Sequence, residues 1–302
     1  MSDGNAMSDP ARATAIDAPA PSPFDRLTQR ASRIDPRYLI AGLVTLVLLV
    51  AQFRYHMVGG YSRLALALGV CMATEAVLSW FDRGKVVNLQ SAYISGISLT
   101  LLEKPQGGAL WPVAVGAVLA ISSKYVLRYR DNHLWNPTNF AIVTLLLAAP
   151  NRVSVLSHQW GNDLATNLVI WAFGLLIASR VRVLHITLTY VASFVVLAAL
   201  RALLFGQPVA PELAPITGPM YQLFVFFMIT DPRTVVRDRR WQVVVAVIIA
   251  LVETTIRFAS DQAWPLPTAF NAAPPLVALF LVGPVAKAID LYLRRNAPAR
   301  TA

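Results

Sequence analysis

A small set of residues in this chain has types and spacings that could do chemistry inside a hydrophobic protein. Ser95, Gly96, Ser98 and Thr100 fall within one short apolar segment. Asn136, Thr138 and Asn139 surround Pro137 at the start of another, and the first turn of a helix there offers N–H groups suited to a phosphate, a carboxylate or an electron-rich ring edge. Thr217 and Gly218 repeat the Ser95–Gly96 pairing, Asn271 repeats Asn136, and Thr230–Asp231 close the segment that Thr217 opens. Two carboxylates, Glu75 and Glu253, lie well inside apolar runs. Such groups are costly in hydrocarbon and by default face the interior of a bundle as functional candidates.

Each has a plainer reading. Glu253 stands four residues before Arg257, the spacing of a local ion pair, whereas Glu75 has no Lys or Arg at helical spacing. Lys124, near one end of its segment, is accounted for by snorkelling. Asp231 before Pro232 is also a turn initiator. The single cysteine, Cys71, and the scattered His56, His133, His158 and His185 supply no metal-ligand spacing. No P-loop, GxSxG, HExxH or Rossmann fingerprint is present, so no enzyme acting alone is expected.

These residues need elements to hold them, and the composition says which. Of 302 residues, 56% are hydrophobic and only 14% charged, too few charges to cover a soluble surface of this size. Apolar runs fall at 38–53, 64–81, 88–102, 110–127, 138–149, 164–179, 183–204, 216–230, 242–257 and 270–293, several of them near the roughly 20 residues that cross a bilayer. An all-α polytopic membrane protein of about ten helices follows. The formal charge of +10 fits basic loops better than a nucleic-acid surface.

With the N-terminus in the cytoplasm, the far side receives only Arg54, Arg63, Lys104, Arg152, Arg201 and Arg257 of the 26 Lys and Arg residues. That bias places both termini in the cytoplasm of a multi-pass inner-membrane protein. Residues 1–36, rich in Ala, Pro, Ser and Asp, read as a disordered cytoplasmic arm with a short amphipathic piece near 24–34. Residues 296–302 read as a tail, and 37–295 as one membrane domain.

The short segments are matched. "YISGISLTLLEKP" (93–105) in the third and "PITGPMYQLFVFFMITDP" (215–232) in the eighth each open on Ile-(Ser/Thr)-Gly. "LWNPTNF" (134–140) starts the fifth and "AFNAAPP" (269–275) the tenth. Broken helices at positions 3, 5, 8 and 10 predict two inverted five-helix halves, about 37–150 and 160–295, with one ligand site at their centre.

"SAYISGISLTLL" (91–102), "SKYVLRYRDNHLWNPTNFAI" (123–142) and "FFMITDPRT" (226–234) together resemble the NqrB/RnfD family, membrane components of the Na⁺-translocating NADH:quinone reductase and of the Rnf electron-transport complex. Within that NqrB/RnfD-like family, the match is closest to a stand-alone branch associated with enediyne biosynthesis. The resemblance implies ten helices in two inverted halves, a flavin or quinone ligand, redox partner subunits and a part in electron transport. Covalent FMN is not expected, because the Ser-Gly-Ala-Thr attachment motif is absent; a noncovalent FMN, riboflavin or quinone is. The alternatives are an inverted-repeat transporter or channel for a small solute or natural product, and a scaffold with a filled centre.

Overall fold

The computed structural model describes residues 36–296 except 57, 59, 130 and 156–162. The arm expected over 1–36 and the tail over 296–302 lie outside the described residues, save that Pro36 begins the first helix and Asn296 ends the last. The described part is mostly helical. The helices are α1 (Pro36–Tyr55), α2 (Tyr61–Arg83), α3 (Gln90–Leu102), α4 (Trp111–Val126), α5 (Pro137–Ala148), α6 (Leu164–Arg180) and α7 (Leu184–Phe205). There follow α8 (Val209–Leu213), α9 (Pro219–Leu223), α10 (Arg239–Asp261), α11 (Thr268–Ala272) and α12 (Pro274–Asn296). Four of them, α2, α7, α10 and α12, are long and apolar enough to cross a membrane, with shorter apolar helices beside them.

The interior is largely apolar, but two of the long helices also turn charged or polar groups into it. Along α2 the buried positions are Arg63, Ala67, Cys71, Glu75 and Ser79, one stripe at spacing four that carries small and polar groups inward. Val77, Trp80 and Phe81 on the other faces are exposed. The inward face of α10 is likewise built from Ala246, Ile249, Ala250, Glu253 and Ile256. Both α2 and α7 end in a left-handed glycine, Gly84 at φ 66° and Gly206 at φ 64°, a conformation that carries no steric cost without a Cβ.

Packing follows sequence neighbours. In the first half α2 lies on α3 and α4, α1 on α3, and α4 on α5. In the second, α7 lies on α10, α10 on α12, and α6 on the 219–228 stretch. Contacts between the halves run through α1 with α6, and through α5 with α11 and α12. A two-strand pair, β1 (Glu103–Pro105) with β4 (Val153–Val155), closes one end of the first half, and β2 (Arg128–Tyr129) pairs with β3 (Asn132–His133) at the other.

The expected helix breaks are corrected in part. The third segment is continuous through Gly96; this glycine serves close packing, since a Cβ there would stand 3.2 Å from the Leu68 Cα and 3.3 Å from the Ala67 carbonyl oxygen of α2. The fifth is a plain helix that starts at Pro137, a residue suited to the first turn because it has no N–H to satisfy. The eighth is broken: a 3-10 turn, Ala214–Thr217, precedes α9, which runs into a π turn at Phe224–Met228, where the Ile229 N–H reaches the Phe224 carbonyl at 3.0 Å. The tenth segment splits at Ala273, between α11 and α12.

The π turn turns Phe226 onto α6, edge-on to Trp171 with centroids 5.1 Å apart. Gly174 makes room for it, because a Cβ there would lie 2.4 Å from the ring. Gly174→Ala is expected to lower stability by about 1–3 kcal/mol through overpacking, read as a fall in the thermal midpoint of the purified protein in detergent. An unchanged midpoint would mean that Phe226 has room to retreat.

Candidate functional site

The sequence places Asn136 and Asp231 ninety-five residues apart, and the fold joins them. Asn136 is the N-cap of α5, its Oδ1 accepting the Asn139 N–H at 3.0 Å. The cap leaves its amide free to point outward, and Nδ2 donates to Asp231 Oδ2 at 3.1 Å. The other carboxylate oxygen of Asp231 accepts the Arg233 N–H at 3.0 Å, and its carbonyl accepts from Thr234 and Val235. Asp231 is therefore both the expected turn residue and a bridge to α5.

Next to that bridge, His133 Nδ1–H donates to the Lys124 carbonyl at 3.2 Å while Nε2 accepts from Arg233 Nη1 at 3.2 Å. The second contact requires the neutral ring, because only an unprotonated Nε2 can accept. Burial, and then the adjacent Arg233 charge, hold His133 below the usual imidazole range.

A small cleft opens beside Asn136. Its floor is apolar, with Ile186, Ile229, Ile249 and Leu279, and its polar edge comes from Asn136, Thr234 and Gln242. It holds about 30 Å³, room for one or two waters. Trp135 lines it, edge-on to Phe140 at 5.9 Å and tilted against Phe280 at 6.0 Å, these two rings being stacked on each other, and it donates Nε1–H to the Phe280 carbonyl at 3.0 Å. Gly283 and Pro284, inside α12, also line the cleft. Proline withholds an N–H from the helix ladder there, a weak point at which α12 can bend. Gln242 is itself fixed, with His185 Nε2 at 2.6 Å and the Val236 carbonyl at 2.8 Å.

The other expected site residues do not converge on this cleft. Ser95 and Thr100 turn back on their own helix, to the Ser91 carbonyl at 3.0 Å and the Gly96 carbonyl at 2.9 Å. Thr138 and Asn139 are buried in α5, and the side-chain amide of Asn139 has no partner among the described residues. Thr230 bonds the Phe226 carbonyl at 2.6 Å and so secures the π turn. Thr217 Oγ1 donates to the Ala214 carbonyl at 2.7 Å, and Gly218 caps α9 in an extended conformation. Helical residues 219–228 separate Thr217 from Asp231, on the order of 15 Å at helical rise. Asn271 accepts from Ser260 Oγ at 2.6 Å, near the end of α10. The candidates therefore do not form one cluster.

The two acids inside long apolar helices, Glu75 and Glu253, are each built into a cluster. Glu75 takes Lys124 Nζ at 3.0 Å and the Tyr125 hydroxyl at 2.7 Å, and Lys124 also reaches Ser91 Oγ at 3.1 Å. Lys124 is only 5% exposed, so it does not snorkel. Its four-carbon stem turns inward because Glu75 on α2 supplies the countercharge. Glu253 is fully buried; it pairs with Arg257 Nε at 3.0 Å, as the spacing predicts, and also accepts hydrogen bonds from the Tyr190 and Tyr221 hydroxyls. Sequence reasoning missed Tyr190, Tyr221, His133, Gln242 and Trp135. Only Trp135 carried a local signal, as the neighbour of a helix-capping Asn-Pro.

No protein-family model matches the chain, and no curated protein does. The NqrB/RnfD-like resemblance accordingly rests on the three motifs alone.

Proposed function

We propose that the chain is a polytopic inner-membrane protein of two inverted five-helix halves that holds a planar, carbonyl-bearing ligand, a flavin or quinone, noncovalently at the Asn136–Asp231 seam. In this reading it serves as a membrane component of an electron-transport assembly of NqrB/RnfD-like type, or of a natural-product pathway that needs redox equivalents. The observation that carries the reading is the 3.1 Å hydrogen bond from Asn136 to Asp231 beside an apolar, Trp-lined cleft. It joins the second and third resemblance motifs, and its amide and carboxylate are the hydrogen-bonding groups a ring edge with carbonyl and N–H positions would meet.

Three matched features support the inverted halves. Left-handed glycines end both α2 and α7. A buried carboxylate bridges α2 to α4 in one half and α10 to α7 in the other. The packing of α4 on α5 parallels that of α10 on α12. A ligand of this class needs a few hundred Å³, so the cleft must open, and bending of α12 at Pro284 is the available movement.

The test is made on the full chain purified in mild detergent, by absorbance and by chromatography of the extracted cofactor, then by titration with FMN, riboflavin and a short-chain quinone. Asn136→Ser keeps a capping side chain but loses the reach to Asp231. It is expected to weaken binding about tenfold or more with little change in thermal midpoint. A colourless preparation that binds none of the three probes would overturn the ligand assignment.

The closed cleft favours one second reading, an inverted-repeat transporter in which the Asn136–Asp231 bond acts as a gate at one end. Solute flux in proteoliposomes, with no bound chromophore, would distinguish it.

A further inference from the structure

Glu103 begins β1 at the C-terminal end of α3, where the Arg63 end of α2 also lies. It is 1% exposed, and neither carboxylate oxygen has a hydrogen-bond partner among the described residues. Arg63, 8% exposed, does not close the gap: its Nη2 donates to the Thr100 carbonyl and its Nε is unpartnered. Another strongly buried arginine behaves differently, since Arg201 takes Asp261 at 2.8 Å and Glu212 as well.

The groups around Glu103 are few. From α2 come Arg63 and, two turns on along the same stripe, Cys71. From α4 comes Gly116, where a Cβ would stand 2.7 Å from Oε2; Leu145 of α5 crowds the same point, and β4 pairs Val155 opposite. Glu75 and Lys124 are occupied with each other, three turns farther along α2. An ionised carboxylate here would be desolvated without a donor, an arrangement proteins avoid by neutralising the group. A metal cation needs a cage of oxygens, while the slot offers a bare glycine and a leucine, with a guanidinium nearby to repel it.

We propose that Glu103 is a proton-binding site in the first half of the bundle, with Arg63 the positioning charge that tunes its occupancy. Uptake turns the carboxylate into a carboxylic acid: an O–H bond forms on one Oε as an O–H bond of a hydronium ion in the aqueous phase breaks, leaving water, and release reverses the step. The site is independent of the Asn136–Asp231 cleft, so either assignment can fail alone.

The test is infrared difference spectroscopy of the full chain in nanodiscs, titrated with pH. The expected result is the C=O band of a carboxylic acid free of hydrogen bonds, persisting at neutral pH, where ordinary glutamates with a pKa of about 4.3 are ionised. Glu103→Gln is expected to remove that band, and Glu75→Gln to leave it. Arg63→Gln is expected to move its midpoint to higher pH by about one unit. Absence of the band at neutral pH, or its survival in Glu103→Gln, would overturn the proposal. Should Glu103→Gln not fold, Arg63→Gln decides alone: an unmoved midpoint overturns it.

Discussion

Replacing Lys124 with alanine is expected to destabilise the protein by about 3–5 kcal/mol, the range found when one partner of a buried ion pair is removed. Lys124 and Glu75 have side chains only 4% and 7% exposed, so water cannot replace the lost ammonium. Tyr125 would remain as the single donor to the carboxylate, and Ser91 would lose a partner as well. The measurement is thermal or denaturant unfolding of the purified protein in detergent. Adding Glu75→Gln to the Lys124→Ala protein should recover part of the loss, because it removes the stranded charge. A Glu75→Leu, Lys124→Met double variant should lie closer to the parent still, since well-packed apolar replacements of buried pairs are often neutral. A loss below about 1 kcal/mol for Lys124→Ala is what an exposed pair gives; that outcome would mean water reaches the site.

The same pair shows where the sequence stops being readable. Helix positions were legible because an apolar run is local: 64–81 became Tyr61–Arg83, 183–204 became Leu184–Phe205, and 242–257 became Arg239–Asp261. The local ion pair of Glu253 with Arg257 was legible for the same reason. The partner of Glu75 was not, since Lys124 is forty-nine residues away and comes close only when α4 packs on α2. Gly96 looked like a break because glycine lowers helix propensity, yet its role depends on the backbone of α2 lying against it. The π turn at Phe224–Met228 has no sequence signature either; it arises where Phe226 must meet Trp171 and Gly174. Of the expected site, the Asn136–Asp231 contact emerged because both residues sit in motifs at helix ends. Ser95, Thr100, Thr217 and Asn271 were grouped with them by analogy between halves, and analogy carries no distance.

Glu253→Ala is the counterpart in the second half, and its expected cost is also large, about 4 kcal/mol or more. Truncation leaves the Tyr190 and Tyr221 hydroxyls without their carboxylate acceptor and the Arg257 guanidinium without its countercharge. Each buried orphan costs about 1–3 kcal/mol. Tyr190→Phe removes one donor and leaves the rest of the cluster intact, so it should cost only about 1–2 kcal/mol. The two substitutions together should cost less than their sum, because they delete the same bond. The location of the damage separates this cluster from the Lys124 one. Tyr221 belongs to α9, and Tyr190 packs edge-on against Phe224 of the π turn at 5.2 Å. Loss of Glu253 should therefore raise amide exchange across 219–228, the stretch that ends three residues before Asp231. It should also weaken whatever binds at the Asn136–Asp231 seam, although no atom of Glu253 is there. Lys124→Ala should instead raise exchange first in α2 and α4. Equal loosening of both regions by both variants would show that the halves unfold as one cooperative unit, and the seam would then report global stability and not local support.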